Sequence, residues 1–283
     1  MNSRTLRLVL LVSCCHGLVH VFELSFASVE QLVAEEFGVS TAVTGWLGTT
    51  LRLPFGLCAI VAGWLADRYG ARRLLVVYLF GCATAAATAW LSPSLGVLFV
   101  AMFMLGVFAS IYHPAGVALI SHHTRADNRT LALGYHGIFG SAGVAGGPFL
   151  AALVLAGNVS WRHYYLVLSV PGVLLGLLIA RRLARDGQPS YSADPDDPAS
   201  PPPLPARWDC YALLLLSAML AGFVYAAVMN FLPRYMGETN LDAGALLERL
   251  FPASASTQAV RSISLDNSSV PTIHTRLPGG DPS

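Results

Sequence analysis

Gly63-Trp64-Leu65-Ala66-Asp67-Arg68-Tyr69-Gly70-Ala71-Arg72-Arg73 is a charged turn set between two apolar runs, each long enough to cross a bilayer. One carboxylate and three arginines put mixed charge where lipid head groups begin. Gly63 and Gly70 lack the side chain that would hold two backbones apart. The stretch reads as a cytoplasmic hinge between membrane helices. Its charges lie at the membrane edge and not at the midplane, so its expected role is structural and gating.

Composition agrees. Of the 283 residues 54% are apolar and only 12% charged, more apolar surface than one soluble core could hide. The chain is read as an integral, all-α membrane protein with the lipid bilayer as its solvent. A formal charge of +1 argues against nucleic acid as a partner, and all 17 basic residues are arginine. Cys14, Cys15, Cys58, Cys82 and Cys210 lie in apolar runs without paired extracellular spacing, so free thiols are expected.

Seven apolar runs of about 20 residues, the length that spans a hydrocarbon core, are legible at 6–32, 41–66, 73–90, 95–120, 130–155, 164–180 and 210–232. The first follows Arg4 and Arg7 and contains Leu11-Val12-Ser13-Cys14, which matches a lipoprotein cleavage box. Apolar character continues past Cys14, so the run is read as a retained helix. Arg4, Arg7, Arg68, Arg72, Arg73, Arg125, Arg129, Arg181, Arg182, Arg185 and Arg207 fall at alternate ends, against Glu35, Glu36 and Arg162 opposite. The amino terminus is therefore expected in the cytoplasm and the carboxyl tail in the periplasm of a bacterial inner membrane. The expected organisation is a six-helix bundle over 1–185, a Pro-rich cytoplasmic linker over 186–209, a seventh helix over 210–236 and a polar tail over 237–283, too poor in apolar residues to pack.

The spacing G-x-L-x-D-R-x-G-x-R-R at Gly63, Asp67, Arg68, Gly70, Arg72 and Arg73 resembles the signature loop between helices two and three of the major facilitator superfamily. It departs from that loop at Ala71, where a basic residue is usual. Helix order agrees, and the resemblance covers about 5–236. It implies the amino-terminal bundle of that fold plus one helix, with a second bundle missing. The chain is therefore expected to be a truncated or frame-shifted product, unless another chain supplies the second bundle. It also implies alternating access, with two bundles rocking about a midplane site.

His16, His20 and Glu23 recur at i, i+4 and i+7 in the first run, within about 60° of one another on a helix, and Glu30 is expected to extend the same face. Ionisable groups cost roughly 2.5 kcal/mol or more each in lipid, so the stripe should face a wet cavity or a partner. Arg52 lies about ten residues into the second run, roughly 15 Å from its outer end, at a depth similar to His20 and Glu23. Glu23 is its expected partner, with His20 the better proton switch and Glu23 the better counter-charge. In the fourth run Pro114 removes a backbone donor and should free a carbonyl near Ser110. His113, and His136 of the fifth run, lie at comparable depths.

Gly134, Gly137, Gly140, Gly143, Gly146, Gly147 and Pro148 give the fifth run a small-residue face for close helix packing. The series resembles the antiporter motif of drug/proton exchangers, although the arginine typical of their fourth helix would fall at Met102. The 110–116 segment with the His-rich first helix is similar to the fosmidomycin-resistance type of efflux carrier.

The expectation is a secondary active transporter, a proton-coupled exporter of a small organic compound or drug, with no cofactor. A non-transporting remnant or assembly partner is the competing class. Metal-ion or small-solute uptake is the lesser one, because His16 and His20 have no convincing third and fourth ligand nearby. No phosphate loop, nucleophile elbow or acid pair is present to suggest an enzyme. A seven-helix receptor fits the helix count but not the loop and linker.

Overall fold

The computed structural model describes residues 1–186 and 207–238; the linker and tail expectations for 187–206 and 239–283 lie outside the described residues. The chain divides into a unit Met1–Pro233 and a unit Arg234–Ser283, the second described only at the end of its helix. The described residues form α1 (Ser3–Glu23), α2 (Glu30–Phe37), α3 (Thr41–Tyr69), α4 (Ala71–Trp90), α5 (Leu95–Ala109), α6 (Tyr112–His123), α7 (Ala126–Leu155), α8 (Arg162–Asp186) and α9 (Trp208–Glu238). Among the described residues seven spans are long and apolar enough to cross a bilayer, with α5 and α6 counting as one. In lipid every backbone group must be satisfied within the segment, and helices do this.

Two expected runs are broken. The run expected over 6–32 ends as a helix at Glu23; where the chain turns, Ser25 Oγ donates to the Phe22 carbonyl (2.7 Å) and Ser28 Oγ to the Leu24 carbonyl (2.9 Å). Glu30 therefore does not extend the ionisable face of α1. It opens α2 and accepts a hydrogen bond from Thr44 Oγ1 in the first turn of α3. The fourth span is interrupted at Ser110 and Ile111, four and three residues before Pro114, whose missing N–H cannot close a helical bond to the Ser110 carbonyl.

Within Met1–Pro233 the principal packing pairs are α4 with α8, α1 with α7, and α5 with both α3 and α4. The interior is built of Val9, Val12, Val19, Phe22, Leu47, Leu51, Leu75, Leu79, Leu98, Leu105 and four tyrosines, Tyr78, Tyr112, Tyr164 and Tyr165. The hydroxyl of each of these four has an acceptor. Tyr112 donates to the Val12 carbonyl (2.7 Å) and Tyr78 to the Cys15 carbonyl (3.0 Å), tying α6 and α4 to the middle of α1. Tyr164 donates to the Gly147 carbonyl (3.0 Å), and Tyr165 meets Met102 Sδ (3.8 Å). By contrast Trp46, Leu53, Leu57, Ile60 and Trp64 leave an exposed apolar stripe along α3, which suits lipid or a second bundle.

The glycines of α7 do not all serve one face. A Cβ at Gly143 would overlap the Gly17 carbonyl of α1, one at Gly140 would overlap the His16 ring, and Gly147 lies against Val21 and Leu24. Gly146 and Pro148, expected on the packing face, are not there: Gly146 has open space where its Cβ would be and Pro148 is exposed. The reason is helical phase. Steps of three wind about 60° backward each time, whereas positions 140, 143 and 147 stay within about 60° of one another.

In the charged turn Gly70, at φ 90°, separates α3 from α4. That conformation favours glycine. Gly63 is different from expectation: an added Cβ would sit 3.8 Å from Pro114 Cβ, ordinary contact, so no close backbone approach requires it. Arg68 lies over the Trp64 and Tyr69 rings at 5.6 and 5.8 Å, while Asp67 and Arg73 are exposed. Arg72 bonds His123 Nε2 (3.2 Å) and lines a cavity of about 370 Å³ with Arg4, His123 and Arg182, separate from the histidines of α1.

At the other end Glu36 accepts from Arg162 Nη1 (2.6 Å) and Trp161 Nε1 (2.7 Å), and Arg162 also donates to the Ser92 carbonyl through Nε (3.1 Å) and Nη2 (2.9 Å). Partial burial raises the Glu36 carboxyl, but these donors outweigh it and hold its pKa below the ordinary value.

Candidate functional site

The α1 helix presents His16, His20 and Glu23 on one face, and the neighbouring helices bring polar groups to it. Arg52 of α3 donates through Nη1 to Glu23 Oε1 at 3.1 Å, with Glu23 only 5% and Arg52 18% exposed. The other carboxylate oxygen, Oε2, lies 2.8 Å from His20 Nδ1. His20 Nε2 lies 3.1 Å from His16 Nε2, and His16 Nδ1 lies 2.7 Å from the His136 carbonyl of α7. One continuous polar chain therefore runs Arg52, Glu23, His20, His16, His136. His113 of α6 stands edge-on to the His16 ring at 5.3 Å and tilted to His20 at 5.5 Å, with Phe55 at its own edge.

The acceptors fix the tautomers. A carbonyl oxygen can only accept, so His16 Nδ1 carries a hydrogen. The Glu23 carboxylate, held by Arg52, also accepts, so His20 Nδ1 carries one too. In neutral rings both Nε2 atoms would then hold lone pairs directed across a 3.1 Å gap. Two facing lone pairs repel; a proton between them, or a metal ion set to one side of the line joining them, converts the contact into an attraction. His16 is further oriented by stacking on His136 (3.7 Å, 13°) and Tyr112 (5.3 Å, 13°). Gly140 leaves the room that its ring occupies.

His16, His20, Glu23, Arg52, His113 and His136 are thus brought to one locality. The charged-turn residues Gly63, Asp67, Arg68, Gly70, Arg72 and Arg73 are not part of it. The expectation that His16 and His20 lack a convincing third ligand nearby is corrected here, because His113 places a ligand nitrogen within 4.8 Å of theirs. Folding of α6 against α1 supplies it, and sequence spacing carries no trace of that contact. Sequence reading also missed Tyr112 and Tyr78 as supports of the α1 backbone. The signal was present, in that a tyrosine deep in an apolar run needs an acceptor for its hydroxyl.

The model of the Major Facilitator Superfamily matches residues 9–264. The chain belongs to this superfamily. The match passes Met236, where the resemblance was expected to stop; the absence of an apolar run after Met236 marks the end of a span and not the end of family pattern. The chain is 35% identical over 155 residues to the puromycin resistance protein pur8 of Streptomyces alboniger, an alignment covering 54% of this chain and 30% of that protein. With the multidrug efflux pump LfrA of Mycolicibacterium smegmatis it shares 34% over 173 residues, covering 60% and 33%. The 3-(3-hydroxy-phenyl)propionate transporter of Escherichia coli is 29% identical over 290 residues, covering 90% and 69%. The alignment thus spans about a third of the length of the first two relatives. Among solved structures, an inward-facing, occupied bacterial homolog of the human lysosomal transporter Spinster matches with a TM-score of 0.64 at 17% identity, covering 92% of this chain and 58% of that one. This superfamily member is a multi-pass membrane protein, and the regular secondary structure of its described residues is helical.

Proposed function

We propose that the chain forms part of a proton-coupled exporter of small organic compounds, in which α1, α3, α6 and α7 line the pathway from one bundle. The observation that carries the reading is the buried polar chain from Arg52 to His136, centred on the facing Nε2 atoms of His16 and His20. Five ionisable residues are expensive in lipid. Placed together they neutralise one another and line a route for proton and substrate. One proton shared between His16 and His20 satisfies both lone pairs, and Glu23 supplies the adjacent negative charge. Export is favoured by the relatives whose names describe puromycin resistance, multidrug efflux, and tetracenomycin C resistance and export. The orientation that fits the arginines puts the amino terminus in the cytoplasm and the segment after α9 in the periplasm of the inner membrane. Alternating access requires a second bundle facing this one, and the signature turn serves as its cytoplasmic gate.

The test is puromycin flux in everted vesicles carrying the chain together with a second bundle taken from a full-length relative, with proton movement followed by a pH-sensitive dye. Uptake driven by an acid interior, coupled to proton release, is expected. His20→Gln should keep puromycin counterflow while abolishing the coupled proton signal. An unchanged proton signal in His20→Gln would place the coupling elsewhere, and absence of any gradient-driven flux with the parent chain and its second bundle both present would remove the transport reading.

A further inference from the structure

We propose that His16, His20 and His113 form a binding site for a borderline-soft divalent transition cation of the zinc class. This inference stands on the geometry of the three imidazoles and does not rest on the transport reading. The ligand nitrogens of the three rings lie within 4.8 Å of one another, with the His16 and His20 Nε2 atoms at 3.1 Å. A four-coordinate zinc ion with nitrogens at about 2.0–2.1 Å holds them about 3.3 Å apart. The His16–His20 pair is therefore already at ligating separation, and a small swing of the His113 ring closes the third side. Three protein ligands leave a fourth position for water or a donor atom of a bound compound.

The surroundings match what such a site requires. A ligating imidazole uses one nitrogen and donates from the other to a carbonyl or carboxylate, which fixes the ring and raises its basicity. His16 does so to the His136 carbonyl and His20 to the Glu23 carboxylate. Both free Nε2 lone pairs consequently point into the gap. The i, i+4 spacing of His16 and His20 on α1 supplies two ligands from one rigid helix, and α6 supplies the third from across the interface. Glu23 contributes negative charge next to the site, while Arg52 partly offsets it. A weakly held, hydrated hard cation is therefore disfavoured: three imidazoles suit zinc, cobalt or nickel and give magnesium or calcium nothing to bind. The metal ion and the coupling proton are alternative occupants of the same two lone pairs, so metal binding would block the proton route.

The full chain, purified in detergent and stripped with a chelator, would be titrated with Co²⁺ and read by its ligand-field absorption, with Zn²⁺ and Ca²⁺ as competitors. One Co²⁺ per chain, a four-coordinate spectrum, displacement by Zn²⁺ and indifference to Ca²⁺ are expected. His113→Gln should weaken binding at least about tenfold, the order of effect seen when a metal site loses a supporting group. His113→Cys restores a ligand and should restore binding with a spectrum shifted by thiolate. His163→Gln, at the far end of α8, should change nothing. The proposal is overturned by the absence of stoichiometric Co²⁺ binding, by full binding in His113→Gln, or by a His113→Cys chain that elutes as a single species yet binds no better than the glutamine variant.

Discussion

Removing the charge of Glu23 tests whether the polar chain is one coupled unit. Glu23→Gln keeps the side-chain volume but leaves the Arg52 guanidinium with a neutral partner in a site where its Nη2 is already buried without one. Breaking a buried ion pair by removing one member costs about 3–5 kcal/mol, because the survivor is left uncompensated. Arg52 keeps 18% exposure, which moves the expected loss to the lower end of that range, about 3 kcal/mol. Arg52→Gln should cost less, about 1–2 kcal/mol, since Glu23 retains the His20 Nδ1–H at 2.8 Å. The double variant carries no unpaired charge and should lie close to Arg52→Gln, about 1–2 kcal/mol above Glu23→Gln in stability. Thermal unfolding in detergent, followed by circular dichroism and monodispersity on a sizing column, measures all four chains. Simple additivity of the two losses would refute the reasoning, because it would mean that the two charges do not depend on each other.

Other parts of the fold make separate predictions. Gly143→Ala drives a methyl into the Gly17 carbonyl and should destabilise by about 1–3 kcal/mol, whereas Gly137→Ala, with open space, should be neutral or mildly stabilising; equal melting shifts would refute the assignment of faces. Arg162→Ala should loosen the end of the bundle where α2 meets α8, read as faster proteolysis after Phe37. Glu36 has a lowered folded pKa, so its contribution is present above the ordinary carboxylate value and is lost as pH falls through the folded one. At 39% exposure that contribution is screened to below about 1 kcal/mol, and Glu36→Gln should cancel only this part of the acid loss of melting temperature. Reporter fusions at Ser190 and Ser268 should report opposite sides of the membrane; the same side for both would mean that α9 does not span.

The spans were legible because bilayer thickness imposes a length on every apolar run, and runs of that length have few other readings. The pair Glu23 and Arg52 was legible for a related reason: a charge at depth needs a partner, and depth can be counted along a helix. What escaped was the end of the first helix inside an apolar run. Ser25 and Ser28 look compatible with a continuing helix, yet α1 stops at Glu23, the chain turns, and Glu30 falls in α2 and not on the α1 face. Hydropathy is blind to such a break because the residues on either side remain apolar.

The third imidazole shows a different boundary between sequence and structure. His16 and His20 announce themselves by spacing within one helix, but His113 is nearly a hundred residues away and meets them only because Tyr112, its neighbour, is anchored to Val12 of α1. That anchor and the Pro114 break act together. The break restarts the helix at Tyr112, the hydroxyl bond fixes the new segment against α1, and His113 is then held beside the facing nitrogens. If this order of causes is right, Tyr112→Phe should leave the helices intact yet loosen the hold on His113, weakening Co²⁺ binding while the His16–His20 pair survives. Unchanged Co²⁺ affinity in Tyr112→Phe would show that packing alone, without the hydroxyl bond, positions the third ring.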